Sequence, residues 1–507
     1  MLPSQIRPHV ALLFGASLMT CTLTAALCFG AVPANFVDET VAPGFSVPTG
    51  FGFLPDGRLL VTEQRTGNVR MAVGGVASAP ILTVPSLNGS ANERGLLSIA
   101  IDPGWPQRPY VYLFYTRIGN LMRLVRYTAS GDLTNAGSTN LTLASPYLIL
   151  DDLTDTASNH NGGALRFDDD GYLYLSLGED ASPCSAQDPS TLRGVLLRLD
   201  VDGLPAGAGG PATRDQITPA DNPFVGSGNE NTRLVWAYGL RNPFRYGIDP
   251  VTGKVYLGDV GEVTWEEVNE IEAGDNLGWP HYEGFEDHSS GCTPPAGFNP
   301  RPPIAAYPRS DGVAVMGAGV YRPRAGATSN WPVSYWGDVF YADYYTGWLR
   351  RLSWNGASWT TENAPGQPNG ADWGNGLSNP VEFHVGPDGS LWWASQGGGI
   401  HRIRYTGSNV AVGDATPKHG TLRAVSPFSG GTDLDFSLER GGRARIAIFD
   451  VRGRRVRMLI DGTLGPGARQ VRWDGNDDAG RPVASGLYLI RLEHPEGMAM
   501  TRAMRLR

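Results

Sequence analysis

Apolar and polar positions alternate with a period of two through most of the chain, and a recurring turn punctuates the alternation. The repeated phrase is an acidic or Pro-Asp-Gly turn followed by an apolar strand: FLPDGRLLVTE from Phe53, FDDDGYLYLSLG from Phe167, DPVTGKVYLGDVG from Asp249 and GPDGSLWWAS from Gly386, with looser versions in DPGWPQRPYVYLFYT from Asp102 and WGDVFYADYYTGWLRRL from Trp336. Asp-Gly and Thr-Gly supply the positive φ that tight hairpins need. Leu173, Leu175 and Leu177 alternate with Tyr172, Tyr174 and Ser176, the pattern of a strand buried on one face. Six such units between residues 44 and 406 predict an all-β fold, a six-bladed β-propeller. Their irregular spacing leaves a barrel or a pair of sandwiches as the alternative.

Near Asn409 the grammar changes. DLDFSLER from Asp433, RARIAIFDV from Arg443, RRVRMLI from Arg454, ARQVRWDG from Ala468 and ASGLYLIRLE from Ala484 predict a small antiparallel β-sandwich. Residues 413–507 hold 16 basic and 11 acidic residues, a net +5 against −14 for residues 1–412. The chain therefore divides into a signal segment (1–34), a propeller (35–410) and an accessory domain (411–507).

Composition narrows the classes. With 67 Gly, 38 Pro and 18% charged residues among 507, tight turns dominate, and a helical bundle or coiled coil is excluded. The net charge of −9 and the lack of a long Lys/Arg run argue against nucleic acid as a partner. Arg7, the apolar run from Val10 to Phe29 and Val32-Pro33-Ala34 read as an export signal cleaved after Ala34; an uncleaved anchor is the alternative, disfavoured by Thr20, Thr22 and Thr24. The expected location is periplasmic, secreted or cell-surface. Cleavage leaves Cys184 and Cys292, an even pair expected to join in an oxidising compartment.

Four segments concentrate polar residues that a strand scaffold does not need. In ANERGLLSIAIDP, Glu93 and Arg94 form, on the plainest view, a surface ion pair. In SNHNGGALRF, His160 precedes Gly162 and Gly163, which allow close backbone approach to a ligand, and its imidazole suits a general base. In AYGLRNPFR, Pro243 fixes the direction of Arg241 and Asn242, suiting a permanent cation aimed at a carbonyl. In GDVGEVTWEEVNEIEAGDNLGWP, a turn at Gly261 exposes carbonyls beside Asp259, Glu262, Glu266 and Glu267, oxygen ligands that suit Ca²⁺. Trp331, Trp336, Trp373, Trp392 and Trp393 are sugar platforms or packing between sheets, with packing favoured for the last two.

Together, ERGLL, HNGG with DGYLYLSLG, AYGLRNPFR and GDVG…WEEVN…NLGWP resemble the soluble quinoprotein glucose and aldose sugar dehydrogenases over residues 40–406. The resemblance implies pyrroloquinoline quinone (PQQ) and Ca²⁺ as cofactors, an aldose substrate oxidised at its anomeric hydroxyl to a lactone, and an external electron acceptor. It implies His160 as the base and Arg241 as the cation polarising the quinone, with Asn242 beside it. The main-chain oxygens of Gly261 and Glu262 match the calcium ligands, and Arg322 matches a basic contact to the cofactor's carboxylates. Glu262 stands where the glucose enzyme has proline, Asn159 where it has an acidic neighbour of the base, and Glu93 where it has a cofactor-contacting amide. IAIFDVRGRRVRML and VRWDGNDDAGRPVASGLYLIRL resemble the immunoglobulin-like domain of the flagellar hook-capping protein, which implies an accessory, sorting or surface-association module. A non-catalytic glycan- or protein-binding propeller and a calcium-dependent lactonase remain the alternative functions.

Overall fold

The computed structural model describes residues 32–90, 92–324, 327–355, 358–407, 422–424, 426, 428–438, 440–450, 454–494 and 497–506. Most of residues 1–34, the expected signal segment, with Cys21 and Cys28, lies outside them. Among the described residues, no helix is long and apolar enough to cross a membrane.

Among the described residues seven sheets are antiparallel and four-stranded, and six of them lie within residues 36–405. Their first strands are Pro48–Phe53, Leu96–Ile101, Gly162–Phe167, Pro243–Ile248, Val315–Val320 and Pro380–Val385, and these contact one another in sequence order and close into a ring. The sixth sheet takes its fourth strand from the chain's beginning: Phe36–Pro43 pairs antiparallel with Gly399–Tyr405. In five sheets the recurring phrase forms the turn and second strand; in the fifth it supplies the second and third strands, Val339–Asp343 and Leu349–Trp354.

The first strands run in a common direction. A Cβ on Gly317 would meet Arg245 O at 2.6 Å and one on Gly319 would meet Gly247 Cα at 2.8 Å, so neighbouring strands of the fourth and fifth sheets run parallel and nearly touch. The ring therefore has two distinct ends. At the turn end, each first strand passes into the second. At the loop end lie the segments that precede the first strands and follow the second ones.

The Leu173–Leu177 strand is buried throughout, Tyr174 and Ser176 included. The expectation of one wet face fails because each sheet is covered by a neighbour on both faces. Trp331, Trp373 and Trp393 are at most 1% exposed and lie in one aromatic cluster of the core, so they pack sheets together and are not sugar platforms. Arg245 pins the ring's centre, donating to Thr49 O, Leu97 O and Val381 O of three other sheets.

The C-terminal region forms two further sheets. Leu422–Ala424, Thr432–Leu438 and Gly467–Trp473 make one; Gly442–Phe449, Arg455–Leu464, Gly486–His494 and Gly497–Arg505 make the other. Leu434, Phe436, Ile446, Ile448, Trp473 and Ile490 share a core there. The first and last of these strands were not apparent from the sequence pattern.

Candidate active site

His160 sits in the loop before the third sheet, with left-handed backbone (φ 60°). Its Nδ1 is bonded to Glu179 Oε1, a fully buried carboxylate at the end of the second strand of the same sheet. An ionised carboxylate only accepts, so Nδ1 carries the proton and Nε2 keeps its lone pair. Glu179 N donates to Arg241 O at 2.9 Å, and Asp180 N to His160 O at 3.3 Å. Asp180 also accepts from Thr156 N and Ala157 N, which holds the His160 loop from beneath.

Buried carboxylates tie the loops of neighbouring sheets together. Glu93 accepts from Asn161 N at 3.1 Å and from Asn242 Nδ2 at 3.2 Å, joining the residue after His160 to the residue after Arg241. Asn242 Oδ1 accepts from Gly162 N at 3.1 Å. Asp259 accepts from Arg241 N at 2.9 Å and Asn242 N at 2.7 Å. The Arg241 guanidinium donates to Val260 O at 3.0 Å and lies 5.3 Å from the Trp279 ring centre, while its Nε has no partner. Burial pushes the Glu93 carboxyl up from its ordinary value, and Asp259 up to about 6.

His160, Arg241, Asn242 and Glu93 thus meet at one place on the loop end. Asn159, half-buried beside His160, makes no hydrogen bond to the described residues through its side chain. Three expectations change. Glu93 does not pair with Arg94, which binds Asp155 at 2.9 Å instead. The glycines after His160 serve internal packing, since a Cβ on Gly162 would meet Gly178 N at 2.9 Å and one on Gly163 would meet Leu97 and Phe114 at 3.0 Å. Arg322 does not join the site: it follows the first strand of the fifth sheet, at the turn end, and its guanidinium grips Asp249 at 2.9 and 2.7 Å. The separation is about 20 Å, the length of a six-residue strand.

The Gly261–Glu262 loop has an unusual anchor. Glu283 Oε1 accepts from the main-chain N–H groups of Glu262, Val263, Thr264 and Trp265 at 2.6 to 3.4 Å. Burial opposes this carboxylate's charge, yet the four donors hold it below the ordinary range. The Glu262 carbonyl accepts no hydrogen bond from the described residues, but Gly261 O accepts from Arg309 at 3.0 Å, and Arg309 also pairs with Glu266. The Glu262 carboxylate turns to His288 at 3.2 Å. Among the described residues no group of three His, Cys, Asp or Glu side chains is placed to hold a metal. The loop fits calcium only as a backbone-oxygen site, with Arg309 released from Gly261 O to Glu266.

Cys184 and Cys292 are joined, as expected. The bond ties the loop that follows Glu179 to the excursion between Trp265–Ile271 and Ala305–Pro308 that carries Trp279, Glu283 and His288. Glu179 and Glu283 were missed by sequence reasoning; the only signal for Glu179 was its place after the strand LYLSLG, and Glu283 had none.

With this geometry in view, the class is defined: the family model for Glucose / Sorbosone dehydrogenase matches residues 45–363, more than half of the chain, and the chain belongs to that family. The FlgD Ig-like domain model matches residues 423–497. The aldose sugar dehydrogenase YliI of Escherichia coli (strain K12) is 29% identical over 263 residues, 50% of this chain and 66% of that protein. Quinoprotein glucose dehydrogenase B of Acinetobacter calcoaceticus is 26% identical over 310 residues, 55% of this chain and 61% of that protein. The chain thus spans less than two thirds of either relative. The PQQ-bound aldose sugar dehydrogenase of Streptomyces coelicolor matches with a TM-score of 0.53 at 23% identity, over 74% of this chain and 99% of that one, which establishes a shared β-propeller fold.

Proposed function

We propose that this chain is an exported PQQ- and calcium-dependent sugar dehydrogenase, a six-bladed propeller with an immunoglobulin-like accessory domain, that oxidises the anomeric hydroxyl of an aldose to a lactone. The observation that carries the proposal is the convergence of a Glu179-oriented imidazole and an acid-free guanidinium, Arg241, on adjoining loops stapled by Glu93. The quinone, when bound, supplies the two-electron acceptor for the hydride from the anomeric carbon. His160 Nε2 takes the hydroxyl proton, and Glu179 stabilises the imidazolium that results. Arg241 offers a fixed positive charge where negative charge develops on a carbonyl oxygen. Asn242 and Glu93 hold the two loops in register. Calcium on the Gly261 and Glu262 carbonyls belongs to the same proposal, as do an external electron acceptor and a sorting or surface role for residues 411–507.

The test is reconstitution with PQQ and Ca²⁺ followed by dye reduction across a panel of aldoses. Dye reduction is the expected result. No reduction with any sugar would hand the site to a binding propeller, and turnover of a lactone without quinone would hand it to a hydrolase.

A further inference from the structure

Removing Arg322 from the site leaves the cofactor's carboxylates without the cation expected for them, and the loop end supplies another. Among its described arginines, Arg94 is paired with Asp155, Arg117 with Asp151, Arg193 with Asp180 and Arg309 with Glu266. Arg241 and Arg65 are the two whose guanidinium groups meet no carboxylate. Arg65 follows the second strand of the first sheet and is exposed. Its guanidinium is held by carbonyls alone, donating to Gly89 O at 2.9 Å and Asn92 O at 2.8 Å. Its neighbour Gln64 donates to Arg94 O at 3.0 Å, so the pair clamps the segment whose centre is Glu93, the residue that touches both catalytic loops.

A second observation places Arg65 at the mouth of the ring. Gln396 of the sixth sheet donates to Gln64 Oε1 at 3.0 Å and accepts from the hydroxyl of Tyr344 in the fifth. The segment YADYYTGWLRR presents Tyr344 here and no cation, because Arg350 and Arg351 are spent on Asp372 and Asp338. Arg65 brings a cation to this place from the first sheet, across Gln64 and Gln396.

We propose that Arg65 binds a carboxylate of the quinone cofactor, the task the sequence assigned to Arg322. The proposal rests on the PQQ reading above. A guanidinium fork preorganised by two carbonyls meets a carboxylate with little further ordering.

The experiment titrates PQQ and its trimethyl ester, with saturating Ca²⁺, into wild type, Arg65→Ala and Arg322→Ala, following protein fluorescence. Wild type should prefer the free acid. Arg65→Ala should lose about 10- to 100-fold in affinity for the acid, little for the ester, and with it the preference. Arg322→Ala should bind both as wild type does. If Arg65→Ala binds the acid normally, or loses acid and ester equally, Arg65 is a prop for the Glu93 segment and the proposal falls while PQQ binding stands. If wild type takes up no PQQ, the cofactor reading falls and takes this proposal with it.

Discussion

Asp249 and Asp259 bound the same hairpin of the fourth sheet, one at each end of the ring. Burial opposes charge on both. At the turn end, Arg322 outweighs burial and holds the Asp249 carboxyl below its ordinary value. At the loop end, main-chain donors do not suffice and Asp259 rises to about 6. The contrast extends around the ring. Turn-end aspartates meet arginines in every sheet: Asp56 with Arg58, Asp102 with Arg108, Asp221 with Arg198, Asp249 with Arg322, Asp338 with Arg351 and Asp388 with Arg402. At the loop end, beside ion pairs such as Arg94 with Asp155 and Arg193 with Asp180, Glu93, Glu179, Asp259 and Glu283 hold main chain, an amide or an imidazole, and Arg65 and Arg241 meet no carboxylate. One end pairs its aspartates with arginines to hold the sheets; the other leaves two cations without a carboxylate and, at Glu93 and Asp259, carboxyls that burial pushes up.

That contrast can be broken by substitution. The largest effect is expected at the loop end, where His160→Ala should lower turnover by about 10²- to 10⁴-fold in a dye assay with the fold intact by circular dichroism. A smaller loss would mean another group takes the proton.

Next comes Glu267, paired across the strand with Asp259 and pushed by burial and that neighbour from 4.5 up to about 8. A raised carboxyl value means that stability is fully present below about pH 4.5 and falls as pH rises through about 8. Glu267→Gln should therefore match wild type at pH 4.5 and exceed it at pH 8.5 by about 1–3 kcal/mol in urea unfolding. Equal curves at both values would show that the carboxylate is relieved by solvent.

Arg322→Ala leaves Asp249 buried and unpaired, so it should cost about 1–3 kcal/mol of stability while turnover stays within twofold. A loss of turnover with unchanged stability would put function at the turn end. The smallest effect is expected for Arg309→Ala, which frees Gly261 O and should tighten calcium binding by about 2- to 5-fold in calorimetry of the PQQ-loaded protein. Weaker binding would instead make Arg309 a support of the carbonyl loop.

The same contrast explains what could be read in advance. The turn-end grammar repeats, because every sheet needs a tight turn and a charge to close it, and repetition made six units visible. Arg322 was matched to a cofactor contact through the family resemblance of its segment, whereas its guanidinium belongs to the repeated ion pairs. His160, Arg241 and Asn242 were legible because their neighbours Asn161, Gly162 and Pro243 are costly choices in a strand. Glu179, Glu283 and Arg245 were not. The partner of Glu179 lies 19 residues away across a hairpin, that of Glu283 is the main chain of another loop, and those of Arg245 are in three other sheets, so no local spacing records them.

The strand Phe36–Pro43 pairs with Gly399–Tyr405, more than 350 residues later. During synthesis the first residues of the ring must wait, unpaired on one edge, until the last sheet has emerged. Closing so long a loop is slow for entropic reasons. The proposed site draws Arg65, Glu93, His160 and Arg241 from four sheets, so the last strand to arrive sets the moment at which the mouth exists at all, and a ribosome stalled before residue 399 would leave a chain holding all four of these side chains and no closed ring around them.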